Sequence, residues 1–224
     1  MQEDKSKQKK VLKSDIKYQI TLNDEQKEAK RLIIDNQIVV ITGRAGCGKS
    51  LVSAQTALDF LFKKQFEKIL VTRAAVEVGH SLGFLPGSLN EKFNPYLEAF
   101  QENLVKCYNK VKIDELIKDN KVEALPVQFI RGKTIDDVLV VEEAQNLTKA
   151  EMLAILTRLG KNGRIIINGD NEQIDITTKN GDMNGLSYII ELSKKIPEIK
   201  YLKLKHNHRS DLVGKILEYE YSGK

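Results

Sequence analysis

The chain has 224 residues, 30% of them charged, and a formal net charge of +5, which excludes a small disulfide-stabilised module and permits, without requiring, a nucleic-acid partner. Its two cysteines, Cys47 and Cys107, lack the spacing of a metal or redox motif, so we expect free thiols in a reducing compartment. No apolar run approaches the roughly 18 residues of a membrane span, and the charged N-terminus does not resemble a signal peptide. We therefore expect a cytoplasmic protein without a membrane partner.

Residues 1–14 form a basic tail in which Lys5, Lys7, Lys9, Lys10 and Lys13 cluster. We expect this tail to be disordered and solvated, and contact with phosphate groups is the alternative. The remainder, residues 15–224, is predicted to be a single domain.

From residue 21 onward, apolar runs suited to buried strands alternate with segments of helical periodicity. Asn23 is the predicted N-cap of the first helix. The predicted strands are 37–42, 68–72, 138–141, 164–168 and 201–204. The predicted helices are 21–33, 50–64, 149–160 and 186–196, with a final helix from about residue 210. This alternation predicts an α/β fold with a parallel five-stranded sheet and helices on both faces.

The longest segment between predicted strands, about 77–135, is predicted to be an insertion in this domain. It begins as a loop rich in glycine and proline and then becomes a helix. Phe93, Leu97 and Phe100 fall on one face of that helix, which indicates a core-facing stripe.

The loop after the first predicted strand, GRAGCGKS, fits the phosphate-binding pattern G-x-x-x-x-G-K-[ST] between a strand and a helix. Its glycines let backbone N–H groups approach phosphate oxygens, while Lys49 reaches the β- and γ-phosphates and Ser50 offers its hydroxyl to Mg²⁺. A glycine turn without a ligand is the alternative. The predicted ATP-binding residues of this loop are Gly43, Arg44, Ala45, Gly46, Cys47, Gly48, Lys49 and Ser50.

Two adjacent acids end the third predicted strand, in VLVVEEAQ at residues 138–145. Ligands of parallel sheets bind beyond the carboxyl ends of the strands, so these acids are expected near the phosphate-binding loop. Glu142 is the predicted Mg²⁺ ligand, and Glu143 is predicted to polarise the water that attacks the γ-phosphate. The alternative is that the two acids have no ligand and lie at the N-terminus of the following helix, where negative charge is favourable.

Two glutamines complete the predicted site. Gln173 lies in NGDNEQID, after the fourth strand, and is predicted to sense the γ-phosphate or orient water; a polar loop is the alternative. Gln26 lies upstream of the phosphate-binding loop, and its amide can bond both the donor and acceptor edges of adenine. An exposed helix glutamine is the alternative for Gln26.

Taken together, these segments resemble the PhoH family of P-loop ATPases over about residues 20–224. The stretches that carry the resemblance are GRAGCGKS, VTRAAVEVGHSLGFLPGSLNEKFNPYLEAF, FIRGKT, VLVVEEAQN, LTRLG and NGDNEQID. The resemblance implies a RecA-like core similar to superfamily 1 helicases, with sheet order 5-1-4-3-2. It also implies Gln26 as the adenine contact and catalytic positions for Glu143 and Gln173. The family is associated with phosphate starvation in bacteria and with phage genomes.

Three positions depart from the family pattern: Arg44 replaces the usual proline, Cys47 the usual threonine and Glu142 the usual aspartate. The first two should matter little, because backbone N–H groups hold the phosphates. The longer arm of Glu142 is tolerated if Mg²⁺ is held through water, and it slows hydrolysis if Mg²⁺ is held directly.

The resemblance implies a helicase-like ATPase that acts on single-stranded RNA or DNA. Such motors need two cores, and this chain has room for one, so we expect a homo-oligomer such as a hexameric ring. Arg209 is predicted to reach the ATP of a neighbouring subunit, with Arg158 as the alternative. Nucleic acid would pass the loop that carries Arg73, His80 and Phe84.

Two other functions remain open from the sequence. One is a nucleotide-dependent switch or assembly that acts on a protein partner without moving along a strand. The other is a P-loop kinase, which would leave Glu143 and Gln173, both suited to water attack, without a role.

Overall fold

A computed structural model describes residues 16–74, 89–173 and 182–208, together with 212–213, 215–216 and 219; for 89–96 it describes the backbone alone. The predicted basic tail, His80, Phe84 and Arg209 lie outside the described residues, as does most of the predicted final helix.

Six parallel strands form one sheet in the described part of the chain, in the order β3-β2-β4-β5-β1-β6. Their bounds are β1 Ile38–Thr42, β2 Ile69–Arg73, β3 Val122–Ala124, β4 Val138–Glu142, β5 Arg164–Gly169 and β6 Ile199–Lys203. Without β3, this order is the one that the resemblance implied, which confirms the predicted topology.

The predicted count of five strands is wrong, because β3 adds a sixth at the edge of the sheet. This strand has 3 residues, and among the strands that the structure describes it pairs only with β2. Its middle residue, Glu123, forms an ion pair with Lys68. A strand so short, with a charged residue at its centre, lacks the apolar run by which the other strands are recognised.

Seven helices cover the sheet among the described residues, and a 3₁₀ turn spans Ala144–Asn146. Their bounds are α1 Asp24–Asp35, α2 Lys49–Phe62, α3 Leu89–Cys107, α4 Lys110–Lys118, α5 Val127–Ile130, α6 Lys149–Leu156 and α7 Gly185–Ser193. None of the helices in the described ranges is long and apolar enough to cross a bilayer.

The helices form one layer on each face of the sheet, because successive strand residues point to opposite faces. In β1, Val39 and Ile41 join a core with α1 to α4, whereas Val40 joins a second core with α5, α6 and α7. The predicted arrangement of helices on both faces is confirmed. Cys47 and Cys107 are buried free thiols.

The described part of the predicted insertion belongs to these layers. Leu97 and Phe100 of α3 are buried as predicted, and they pack in the same core as α2. The side chain of Phe93 lies outside the described residues. α3 therefore lies beside α2, the helix that begins at the phosphate-binding loop, and this position brings the insertion close to the predicted site.

Candidate nucleotide-binding site

A cleft of ≈ 590 Å³ lies at the carboxyl ends of β1, β4 and β5. Parallel sheets bind their ligands at this edge. Nine of the residues predicted from the sequence line the cleft: Gln26, Ala45, Gly46, Gly48, Lys49, Ser50, Glu142, Glu143 and Gln173. Gly43, Arg44 and Cys47, which were also predicted, are not among the lining residues.

The phosphate-binding loop joins β1 to the first turn of α2. Gly43 has φ +149° and Gly48 has φ +87°, conformations that residues with a side chain rarely adopt. A Cβ atom on Gly43 would also lie 2.6 Å from the carbonyl oxygen of Leu204. The turn therefore depends on glycine, and it brings the N-terminus of α2, with its partial positive charge, to the cleft.

Lys49 is the first residue of α2. Its ammonium group donates hydrogen bonds to the carbonyl oxygens of Gly43, at 2.5 Å, and Arg44, at 3.4 Å. It forms no ion pair with any residue that the structure describes. Its positive charge is therefore available to an anion bound in the cleft.

Both carboxylate oxygens of Glu142 are held by hydrogen bonds. Ser50 Oγ donates to Oε2 at 2.8 Å, and Asn168 Nδ2 donates to Oε1 at 2.9 Å. Ser53 Oγ in turn donates to Asn168 Oδ1 at 3.0 Å. Burial raises the pKa of Glu142, and the bonds from Asn168 and Ser50 oppose that rise by favouring the ionised form. Glu142 is thus fixed against the start of α2.

The oxygens of Ser50 and Glu142 suit a magnesium ion. Mg²⁺ prefers hard oxygen ligands such as hydroxyl and carboxylate oxygens. Ser50 Oγ and Glu142 Oε2 are two such atoms, and they lie 2.8 Å apart at the cleft. The residues present therefore fit the ion by the chemistry of their donor atoms.

Glu143 adopts an unusual backbone conformation, with φ +51°, next to the cleft. Its carboxylate accepts a hydrogen bond from Gln145 Nε2 at 2.5 Å, and Gln145 Oε1 accepts one from the backbone N–H of Asp170 at 3.0 Å. Gln145 is 1% exposed. It connects the end of β4 to the end of β5 and orients Glu143, a role that the sequence analysis missed although Gln145 closely follows the two acids.

The loop after β5 is tied to the phosphate-binding loop. Arg44 Nε and Glu172 Oε2 form an ion pair at 2.7 Å. Gln173 follows Glu172, and its backbone N–H donates to the carbonyl oxygen of Asp170 at 3.2 Å. The pair therefore links the loop that carries Gln173 to the phosphate-binding loop, and Gln173 lines the same cleft.

Gln26 is 2% exposed, so it is not the exposed helix glutamine that was the alternative. It forms a capping box with Asn23, the predicted N-cap of α1. Its Nε2 donates to the carbonyl oxygen of Cys47 at 3.3 Å and lies 3.3 Å from Nε2 of His208. The amide thus joins α1 to the phosphate-binding loop from inside the cleft.

Eight residues line the cleft without having been predicted: Ile20, Thr21, Leu51, Asn103, Lys106, Asn168, Gly169 and His208. Three of these eight belong to α3 or to the segment after β6: Asn103, Lys106 and His208. No motif spacing marks them, since they come from the insertion and from a segment that matches the family pattern only loosely. Lys106 is exposed and forms no ion pair with the described residues. Arg158, the alternative to Arg209, does not line the cleft; its Nη1 donates to the carbonyl oxygen of Arg131 at 3.1 Å.

The same fold occurs in solved structures of known proteins. The large terminase from a thermophilic bacteriophage has a TM-score of 0.53 and 10% identity, covering 90% of this chain and 51% of that one. The UvsW helicase from bacteriophage T4 has a TM-score of 0.50 and 14% identity, covering 84% and 61%. At these identities the likeness shows the fold alone, which is that of a P-loop NTPase with a helicase-like core.

Sequence comparison identifies closer relatives. The PhoH-like protein of Bacillus subtilis (strain 168) is 38% identical over 196 residues, which cover 86% of this chain and 61% of the relative. Protein PhoH of Escherichia coli (strain K12) is 38% identical over 172 residues, which cover 75% and 48%. The chain thus spans about half to three fifths of the length of these relatives. The family model for PhoH-like proteins matches residues 19–220, and the chain accordingly belongs to the PhoH-like protein family.

Proposed function

We propose that this protein binds MgATP in the cleft and hydrolyses it. The observation that carries the proposal is the contact between Ser50 and Glu142, which pairs two hard oxygen ligands directly beside the phosphate-binding loop. Lys49, without an ion-pair partner among the described residues, supplies the cation for the β- and γ-phosphates. The P-loop NTPase fold and the family both support an ATPase.

Four residues of the cleft have a direct part in the proposed reaction beside Lys49. Ser50 and Glu142 would hold Mg²⁺, which would supply positive charge to offset that of the phosphates. Glu143, oriented by Gln145, accepts a proton from the attacking water. The new oxygen–phosphorus bond forms as the bond to ADP breaks, which releases phosphate and ADP. Gln173 orients the water or senses the γ-phosphate from the loop after β5.

ATP hydrolysis is proposed to drive action on single-stranded RNA or DNA. The net charge of +5 and a fold shared with a helicase and a terminase support this partner. Arg73 ends β2 at the same edge of the sheet as the cleft, where a polymer would pass. A nucleotide-dependent switch that acts on a protein partner is the second candidate, and the exposed Lys106 at the cleft is compatible with either.

ATP turnover measured with and without single-stranded RNA and DNA, at two salt concentrations, separates these functions. The proposal expects turnover that depends on Mg²⁺ and rises when nucleic acid is added, with a weaker rise at high salt because phosphate contacts are screened. Turnover that nucleic acid leaves unchanged at both salt concentrations would favour the switch. Absence of turnover in every mixture would contradict the ATPase itself.

A homo-oligomer, such as a ring, is proposed to complete the site with Arg209 from a neighbouring subunit. An arginine placed in this way contributes about 10³–10⁵ in rate. Arg209→Ala and Lys49→Ala subunits should each be inactive alone, and mixtures of the two should recover part of the turnover. Full activity in a strictly monomeric preparation, or no recovery after confirmed co-assembly, would refute the shared site.

A further inference from the structure

Residues 204–208 follow β6, and we call them the exit segment. They lie at the end of the cleft that contains Gln26, the predicted contact of the adenine base. The backbone N–H of Leu204 donates to the carbonyl oxygen of Thr42 at 2.8 Å, and that of His208 donates to Gly46 at 3.1 Å. On the other side, Glu25 Oε2 accepts from the N–H groups of residues 205 and 206 at 2.8 and 3.2 Å. The exit segment therefore joins α1 to the phosphate-binding loop.

The imidazole of His208 points to two side-chain amides. Its Nε2 lies 3.1 Å from Asn23 Nδ2 and 3.3 Å from Gln26 Nε2. The capping box fixes the orientation of both amides: Asn23 Oδ1 accepts from the Gln26 N–H at 2.8 Å, and Gln26 Oε1 accepts from the Asn23 N–H at 3.1 Å. Both amides therefore present N–H donors to His208, so in the neutral ring Nε2 accepts through its one lone pair, which the two donors share, and Nδ1 carries the proton.

This contact uses the last free donor of Gln26. An amide nitrogen has two N–H groups, and those of Gln26 go to the carbonyl oxygen of Cys47 and to His208. Adenine presents N7 as an acceptor next to an amino group that donates. Gln26 Oε1 keeps one free lone pair for that amino group, but N7 can reach an N–H of Gln26 only in place of His208 Nε2.

We propose that His208 competes with the nucleotide base for Gln26, so that binding of the base releases the exit segment from the cleft. The proposal rests on the proposed ATP site and adds its regulation. By linkage, a partner that holds the exit segment away from Gln26 should tighten ATP binding, and ATP should tighten the binding of that partner by the same factor.

The test compares ATP with inorganic tripolyphosphate, which has phosphates but no base, by calorimetric titration of the full chain. His208→Ala should bind ATP about two- to tenfold more tightly, the range of one neutral hydrogen bond, and tripolyphosphate as the wild type does. His208→Gln keeps an acceptor and should stay near the wild type. His206→Ala removes the ring that packs edge-on against His208, with centroids 4.6 Å apart, but keeps the imidazole of His208; it should change the affinity for ATP less than His208→Ala does and leave that for tripolyphosphate unchanged.

Other outcomes would overturn the competition. Weaker binding of ATP alone by His208→Ala would mean that His208 contacts the base favourably. Weaker binding of both ligands would mean that it supports the phosphate-binding loop, and unchanged binding of both would mean that the contact with Gln26 has no effect. Lys49→Ala should lose both ligands; a wild type that binds neither ligand would overturn the proposed function, and the competition would fall with it.

Discussion

Replacement of Asn168 by alanine removes the side chain that fixes the predicted magnesium ligand. Asn168 is completely buried, donates to Glu142 Oε1 at 2.9 Å and accepts from Ser53 Oγ at 3.0 Å. Among the described residues, the variant leaves the carboxylate of Glu142 only the bond from Ser50. Ser53→Ala is the matched control, because it removes the bond to Asn168 and leaves the bond between Asn168 and Glu142 in place.

Two general ranges give the expected size of the effect of losing this hydrogen bond. A hydrogen bond to a charged group contributes about 1.5–3 kcal/mol, and loss of a partner that orients a metal ligand typically costs 10–100-fold in metal affinity or activity. Tenfold corresponds to about 1.4 kcal/mol, so the two ranges agree. We therefore expect Asn168→Ala to raise the Mg²⁺ concentration for half-maximal ATP turnover about 10–100-fold, and Ser53→Ala to leave it within about threefold.

The assay is ATP turnover as a function of Mg²⁺ concentration, with urea unfolding of the same preparations. Urea unfolding reports the stability lost by each variant and so separates a metal effect from loss of folded protein. If Asn168→Ala has the wild-type Mg²⁺ dependence while remaining folded, Glu142 does not need this bond and the proposed metal site is wrong. An equal shift in Ser53→Ala would show that the effect comes from general damage to α2.

Three further predictions concern other parts of the molecule. Gly43→Ala should lower the melting temperature and weaken ATP binding at least about tenfold, because the φ of Gly43 is +149° and a Cβ atom there would meet a backbone carbonyl. Gly132→Ala should change neither quantity, because a Cβ atom at Gly132 would meet nothing within 4 Å. Lys106→Ala should weaken ATP binding about two- to fivefold in calorimetry, since its charge faces the cleft, and Lys110→Ala, outside the cleft, should not. Burial raises the pKa of Cys107 from 9.0 to about 12, so between pH 9 and 12 the unfolded chain loses a proton that the folded chain keeps. The free energy of unfolding, measured with urea, should therefore fall over this pH range, and it should fall less steeply in Cys107→Ala.

The sequence was sufficient to predict the elements whose signal is local. The apolar runs of β1, β4 and β5 are recognisable because both faces of these strands are buried, and the P-loop motif marks the start of α2. Once a parallel sheet is assumed, the acids that end β4 must lie at the same edge as that motif. This reasoning placed Lys49 and Glu142 at one cleft, where both are found.

The remaining features depend on contacts that no local pattern records. β3 has too few apolar residues to be recognised, and it forms a strand because β2 offers an unpaired edge. Gln145 and His208 acquire their positions through bonds to Asp170, just after β5, and to Gln26 of α1, which are distant from them in the sequence. Gln26 was predicted as a contact of the base, but the capping box that fixes its amide was visible only in the structure.

A single-turnover experiment with Glu143→Gln tests the central claim most directly, because it separates binding of MgATP from its hydrolysis. The substitution keeps the size and hydrogen bonding of the side chain but removes the base. The account predicts that the variant binds MgATP as the wild type does and hydrolyses it about 10²–10⁴-fold more slowly, so that bound ATP is recovered intact. Hydrolysis of bound ATP at the wild-type rate would contradict the assignment of Glu143 and of the cleft as the site of the reaction.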